Sequence, residues 1–140
     1  MFRIAIFALL ALSSTSMAVA AGTCAGSDPA LVSVAVADVT AGNGLNNYHI
    51  KGTVTNVGAS GQANNVLQSV DIYMANEKLD AKSIPPLPAG QSATFEYVYQ
   101  RSKDAGQGTT RLRFVLDVHN PSPAGNQNCS TNNDQNEVTF

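Results

Sequence analysis

Tryptophan is absent from the 140-residue chain, aromatic side chains make up 6% of it, and charged ones only 13%. So few rings leave little for a carbohydrate platform of stacked aromatics, and Tyr73 is the one ring expected to alternate outward. The 8 basic residues never form a run and are outnumbered by 10 acidic ones, which argues against nucleic acid and anionic membrane as partners. No G-x-S-x-G elbow is present; "GASG" around Ser60 lacks the spacing and has no positioned base beside it. A glycine-rich phosphate loop, a reactive cysteine and an acid pair on one face are missing too. The expectation is a protein that is not an enzyme and carries no cofactor.

A long hydrophobic run is also lacking. The apolar stretch from Ile4 to Leu12 is stopped by Ser13, well short of the roughly 20 apolar residues a membrane span needs. With Arg3 ahead of it and small residues at Ala18 and Ala20 in A-x-A spacing, it reads as a secretory signal over residues 1–20. Residues 21–140 would then form a single domain, periplasmic or secreted and without membrane insertion. A lipid anchor on Cys24 is the competing reading, but Thr23 stands where such signals place Gly, Ala or Ser, and the expected Leu is missing.

The two cysteines, Cys24 and Cys129, suggest one disulfide in an exported chain. Closing a loop of about 100 residues would contribute up to about 4.7 kcal/mol by constraining the unfolded chain.

What the chain does have is period-2 alternation. Apolar residues recur at every second position: Val32, Val34 and Val36; Tyr48, Ile50 and Val54; Val70, Ile72 and Met74; Phe95, Tyr97 and Tyr99; Leu112, Phe114, Leu116 and Val118; Val138 and Phe140. With a short "KLDAKSI" segment, this makes about seven strands, separated by Gly-, Pro-, Asn- and Ser-rich connections. The fold class expected is all-β, an antiparallel immunoglobulin-like or fibronectin-III-like sandwich. Alternating strand direction would bring the start of the first strand and the second-to-third, fourth-to-fifth and sixth-to-seventh connections to one pole. Cys24 and Cys129 both fall at that pole, so the disulfide and the topology are mutually consistent.

Three stretches, "GTVTNVGASGQANNV" (52–66), "IPPLPAGQSATFEY" (84–97) and "VLDVHN" followed at a distance by "NNDQNEVTF", resemble the bacterial cell-adhesion-related domain, CARDB. The resemblance spans Leu31 to Phe140 and implies a sandwich module of binding or adhesion type. Each piece also has a physical reading. Asn56 and Gly58 are expected to leave the second strand through left-handed backbone. Pro85, Pro86 and Pro88 stop the fourth strand, and Asn120 and Asn136 cap loop backbone. The sequence departs from the family where acidic residues are expected, with Ser130 and Asn133 in their place, with Gln135 and Asn136 for paired asparagines, and with an extra "PAGNQNC".

That loss of carboxylates weighs against calcium, for which Asp117, Asn132 and Asp134 are the weak candidates. His49 and His119 are expected on opposite sheets, too far apart to share a zinc ion. Arg111 and Arg113 are expected to pair across strands with Asp71. Asn128-Cys129-Ser130 fits the glycosylation pattern, but a disulfide-bonded cysteine at its centre makes a poor acceptor. Recognition is expected in the polar loops of the cysteine-bearing pole, through Asn64, Asn65, Asn126 and Asn132. The partner would be an envelope or extracellular protein or glycan, met by a monomer. A structural component that adds an edge strand to a neighbour's sheet is the alternative.

Overall fold

The computed structural model describes residues 24–103, 108–119 and 126–140, so the expected signal over 1–20 and Asn120 lie outside the described residues. The alternating segments form seven strands: β1 (Pro29–Gly42), β2 (Leu45–Asn56), β3 (Leu67–Met74), β4 (Glu77–Ile84), β5 (Ser92–Ser102), β6 (Arg111–His119) and β7 (Gln135–Thr139). They divide into a three-stranded sheet, β1-β2-β5, and a four-stranded sheet, β4-β3-β6-β7, and every pairing is antiparallel. Among the described residues no helix is long and apolar enough to cross a membrane.

Even-numbered side chains face the space between the sheets in most strands. Ile50, Val54, Val70, Ile72, Leu112 and Phe114 are fully buried there, and Phe95 of one sheet meets Phe114 of the other with ring centroids 6.0 Å apart. The run Tyr48, Ile50, Val54 skips Gly52, and the register explains the gap. Gly52 lies opposite Phe95, whose ring occupies the space a Cβ would need.

β1 departs from the parity rule. Irregularities between Leu31 and Ser33 and between Val36 and Asp38 shift its phase, because an extra residue on one strand rotates the residues after it by half a period. Leu31 is buried instead of Val32, which is half exposed at 50%. Alternation in the sequence cannot reveal a bulge, since both phases of "LVSVAVADV" contain apolar residues.

The β1–β2 and β3–β4 turns at the far end are short. Asn43 and Gly44 both have positive φ, 49° and 74°, and close the β1–β2 hairpin in two residues. Ala75 does the same work between β3 and β4 at φ 53°, a conformation unfavourable for a residue with a Cβ.

Candidate functional site

Strand direction brings the segment before β1 and the β2–β3, β4–β5 and β6–β7 connections to one pole, where backbone hydrogen bonds join all four. Val57 N–H donates to the Asp28 carbonyl (2.8 Å), Gln62 N–H to Leu87 (3.0 Å), Cys129 N–H to Ser27 (3.0 Å) and Leu31 N–H to Asn133 (2.9 Å). The Cys24–Cys129 disulfide adds a covalent tie between the first and last of these segments, with Cα atoms 6.1 Å apart.

Side-chain amides complete the pole. Asn56, with no exposed surface, accepts from the backbone of Asp28 (2.9 Å) and Gly58 (3.1 Å) and donates to the carbonyls of Ser60 and Leu87, both at 2.9 Å. Neither Asn56 nor Gly58 has the expected left-handed backbone. Asn56 acts through its amide, and Gly58 is small because a Cβ would run into the carbonyl of Gly26 and come within 2.6 Å of Asp28 N. Gln62 and Gln68 exchange two amide hydrogen bonds of 2.9 Å, and Gln127 accepts from Ala63 N–H at 2.7 Å. All three glutamines are buried.

Two carboxylates lie within this polar region. Asp28 is 4% exposed and accepts from Ser130 N–H (3.1 Å) and the Asn133 amide (3.2 Å). Asp134 is 6% exposed and accepts from the Asn128 amide at 2.8 Å. Burial, reinforced by the negative charge of Asp28 and only partly offset by the Asn128 hydrogen bond, pushes the Asp134 carboxyl up to about 6. Three buried oxygens here, Asn128 Oδ1, Asn133 Oδ1 and Asp134 Oδ1, have no donor among the described residues.

The structure parts the three calcium candidates. Asp134 points inward beside Leu116, whose N–H donates to its carbonyl. Asp117 is on the outer face of β6, 3.1 Å from His119, and Asn132 is exposed. Among the described residues, no group of three His, Cys, Asp or Glu could hold a metal ion. His49 and His119 fall on different sheets, and His49 lies 3.1 Å from the Thr40 hydroxyl.

Asn64, Asn65, Asn126 and Asn132 are exposed at the pole. The Asn126 oxygen accepts from Asn128 N–H at 3.0 Å, closing its own turn.

The outer face of the four-stranded sheet corrects one expectation. Asp71 lies opposite Val115, away from both arginines, and pairs with Lys78 of β4 at 2.6 Å. Arg113 lies over the Tyr73 ring, 4.9 Å from its centroid, and Arg111 pairs with Glu137. Burial alone would raise the Asp71 carboxyl, but the Lys78 ammonium and the Ser69 and Tyr73 hydroxyls outweigh it and hold it below the usual range.

Sequence reasoning missed Asp28, Gln62, Gln68 and Gln127. Gln68 carried a signal, a polar residue at an inward, even position in front of Val70. Asp28 carried none, since its burial depends on contacts with residues 102 and 105 positions away.

No family model matches the chain, and no curated protein does. Among solved structures, it is similar to the crystal structure of the CARDB domain of a Pyrococcus furiosus protein, a complex with di-metal ions. The TM-score is 0.54 at 15% identity, over 84% of this chain and 89% of that one, and the chain therefore has a CARDB-type β-sandwich fold.

Proposed function

We propose that this chain is an exported, non-catalytic binding module that meets its partner, an extracellular or envelope protein or glycan, through the loop pole. The observation that carries the proposal is the contrast within that pole. Exposed Asn64, Asn65, Asn126 and Asn132 sit on loops whose roots are tied by the disulfide and by the fully buried amide of Asn56. A loop already ordered loses less entropy on binding, which favours recognition there over the sheet faces. The disulfide fits a compartment outside the cytoplasm.

The test is capture of envelope proteins and a glycan array with the mature chain, followed by Asn→Ala changes at positions 64, 65, 126 and 132. Binding is expected to weaken while the melting temperature stays nearly constant. Loss of binding on changing Tyr73, Arg111 or Arg113 instead would overturn the reading.

Strand addition is the second reading, and β1 supports it. Val32 and Val39, 50% and 47% exposed, lie on a strand that, among the described residues, pairs only with β2 within its sheet. Size-exclusion chromatography separates the two, since a monomer favours the loop pole and a concentration-dependent ladder favours the β1 edge.

A further inference from the structure

Buried charge needs compensation, and the loop pole contains two carboxylates without it. Asp28 and Asp134 are both more than nine-tenths buried. Neither takes part in an ion pair among the described residues, where the carboxylates in ion pairs are Asp71, Asp80, Glu96, Asp117 and Glu137. The flanking sequence supplies no cation either, for no Lys, Arg or His occurs from Cys24 to Tyr48 or from Asn120 to Asp134. Asp28 accepts from the amide of Asn133, the residue before Asp134, so the two carboxylates belong to one neighbourhood, and buried charge there is costly.

The hydrogen-bond inventory is unbalanced in the same direction. Donors to the two carboxylates are Ser130 N–H and the amides of Asn133 and Asn128. Each asparagine thereby turns its NH₂ to a carboxylate and leaves its own oxygen bare. Together with Asp134 Oδ1, three buried oxygens have lone pairs and no donor among the described residues. Buried oxygens are nearly always satisfied, so a surplus of acceptors calls for something electron-poor among them.

We infer that Asp28, Asp134, Asn128 and Asn133 form a binding site for a hard divalent cation of the calcium type. The donor set is entirely oxygen, two carboxylates and two neutral amides, which suits calcium and offers nothing to a thiophilic or imidazole-seeking metal. Both cysteines are committed to the disulfide. Calcium accepts irregular coordination completed by water, whereas magnesium demands near-octahedral geometry. Only one of the four ligands, Asp134, was among the candidates read from the sequence. The second carboxylate comes from the other end of the domain, so the cation would fasten the β6–β7 connection to the start of β1, as the disulfide does. An affinity near 10⁻⁴–10⁻³ M, as in extracellular calcium modules, is expected.

The test uses the oxidised mature protein, stripped with chelator and titrated with calcium at pH 7.5 by calorimetry and by thermal melting. One saturable site and a melting temperature about 5 °C higher at 10 mM calcium are expected, with a smaller response to magnesium. Asp134→Asn is expected to weaken calcium binding at least tenfold. Asn128→Ala, which removes an oxygen and the NH₂ donor to Asp134 but no charge, should do the same and decides the matter if Asp134→Asn fails to fold. Asp117→Asn, on the outer face, should bind calcium like the wild type. Absence of both heat and thermal shift at 10 mM calcium would overturn the inference and assign the bare oxygens to a proton on Asp134 or to bound water. A shift that survives both Asp134→Asn and Asn128→Ala would place calcium elsewhere and overturn it equally.

Discussion

The two ends of the sandwich are closed by different physics. At the far end, hairpins turn in two residues at Asn43-Gly44 and around Ala75, and Tyr48, Tyr99 and Phe140 fill the gap between the sheets. The Tyr48 and Phe140 rings stack with centroids 4.1 Å apart. At the loop pole long connections replace tight turns, and buried amides, carboxylates and a disulfide replace rings. Apolar closure depends on volume and tolerates imprecise direction. Polar closure depends on each donor finding its acceptor, so a single deletion strands several partners at once.

That difference is testable. Asn56→Ala removes four hydrogen bonds, taking the side-chain partner from the backbone N–H groups of Asp28 and Gly58 and from the Ser60 carbonyl, and leaving the Leu87 carbonyl with Gln62 N–H alone. A loss of about 4 kcal/mol in urea unfolding is expected. Phe140→Ala, at the far end, should cost about 2 kcal/mol, less than a fully buried phenylalanine because its ring is only partly covered. Equal losses would abolish the distinction between the two ends.

Reduction of Cys24–Cys129 should cost about 3 kcal/mol and lower the melting temperature by several degrees with the fold retained. Hydrogen exchange sharpens the point, since protection should fall at residues 126–134 and stay unchanged at the 42–45 hairpin.

A polar pair outside the pole is a useful control. The Asp71 carboxyl is held below its ordinary value, so its contribution is complete above the unfolded pKa of about 4 and is lost as pH falls through the lower folded value. Asp71→Asn should therefore be less stable than the wild type by about 1 kcal/mol at pH 7, and the gap should close in acid. A gap independent of pH would mean that Lys78 contributes packing and not charge.

The smallest effect is a gain. Ala75→Gly relieves left-handed backbone at the β3–β4 turn and should raise stability by somewhat less than about 1 kcal/mol, offset in part by the freer unfolded chain. Thermal melting would show it as a shift of a few degrees, and no gain would mean that the turn tolerates the alanine without strain.

Seven strands, their order in the chain and the gathering of both cysteines at one pole are legible in the residues, because a period of two and the reversal at each connection are local rules. The sequence groups Asp134 with Asp117 and Asn132 as oxygen-bearing candidates, but its companions in the sequence are not its companions in space. Asp117 has odd parity and points outward from β6, whereas Asp134 precedes β7 at an even position and points inward. Parity extended into the loop separates the two. Bulges in β1 are hidden by a run apolar in both phases. The register that sets Asp71 opposite Val115 is equally hidden, because a strand pattern fixes faces and leaves sliding undetermined.

The residues by themselves determined which side chains could be buried together, since alternation sorts them to faces before any contact forms. Only tertiary structure decided that Asp28 would lie beside Asn133 and near Asp134, that Gln62 would meet Gln68 and Gln127, and that a proline-rich crossing would pass over the amide of Asn56. Those meetings join segments far apart in the chain, and hydrogen bonds between such segments carry no periodic trace in the sequence. Their positions are set by packing of the two sheets, which brings the loops together only after the apolar faces have found each other.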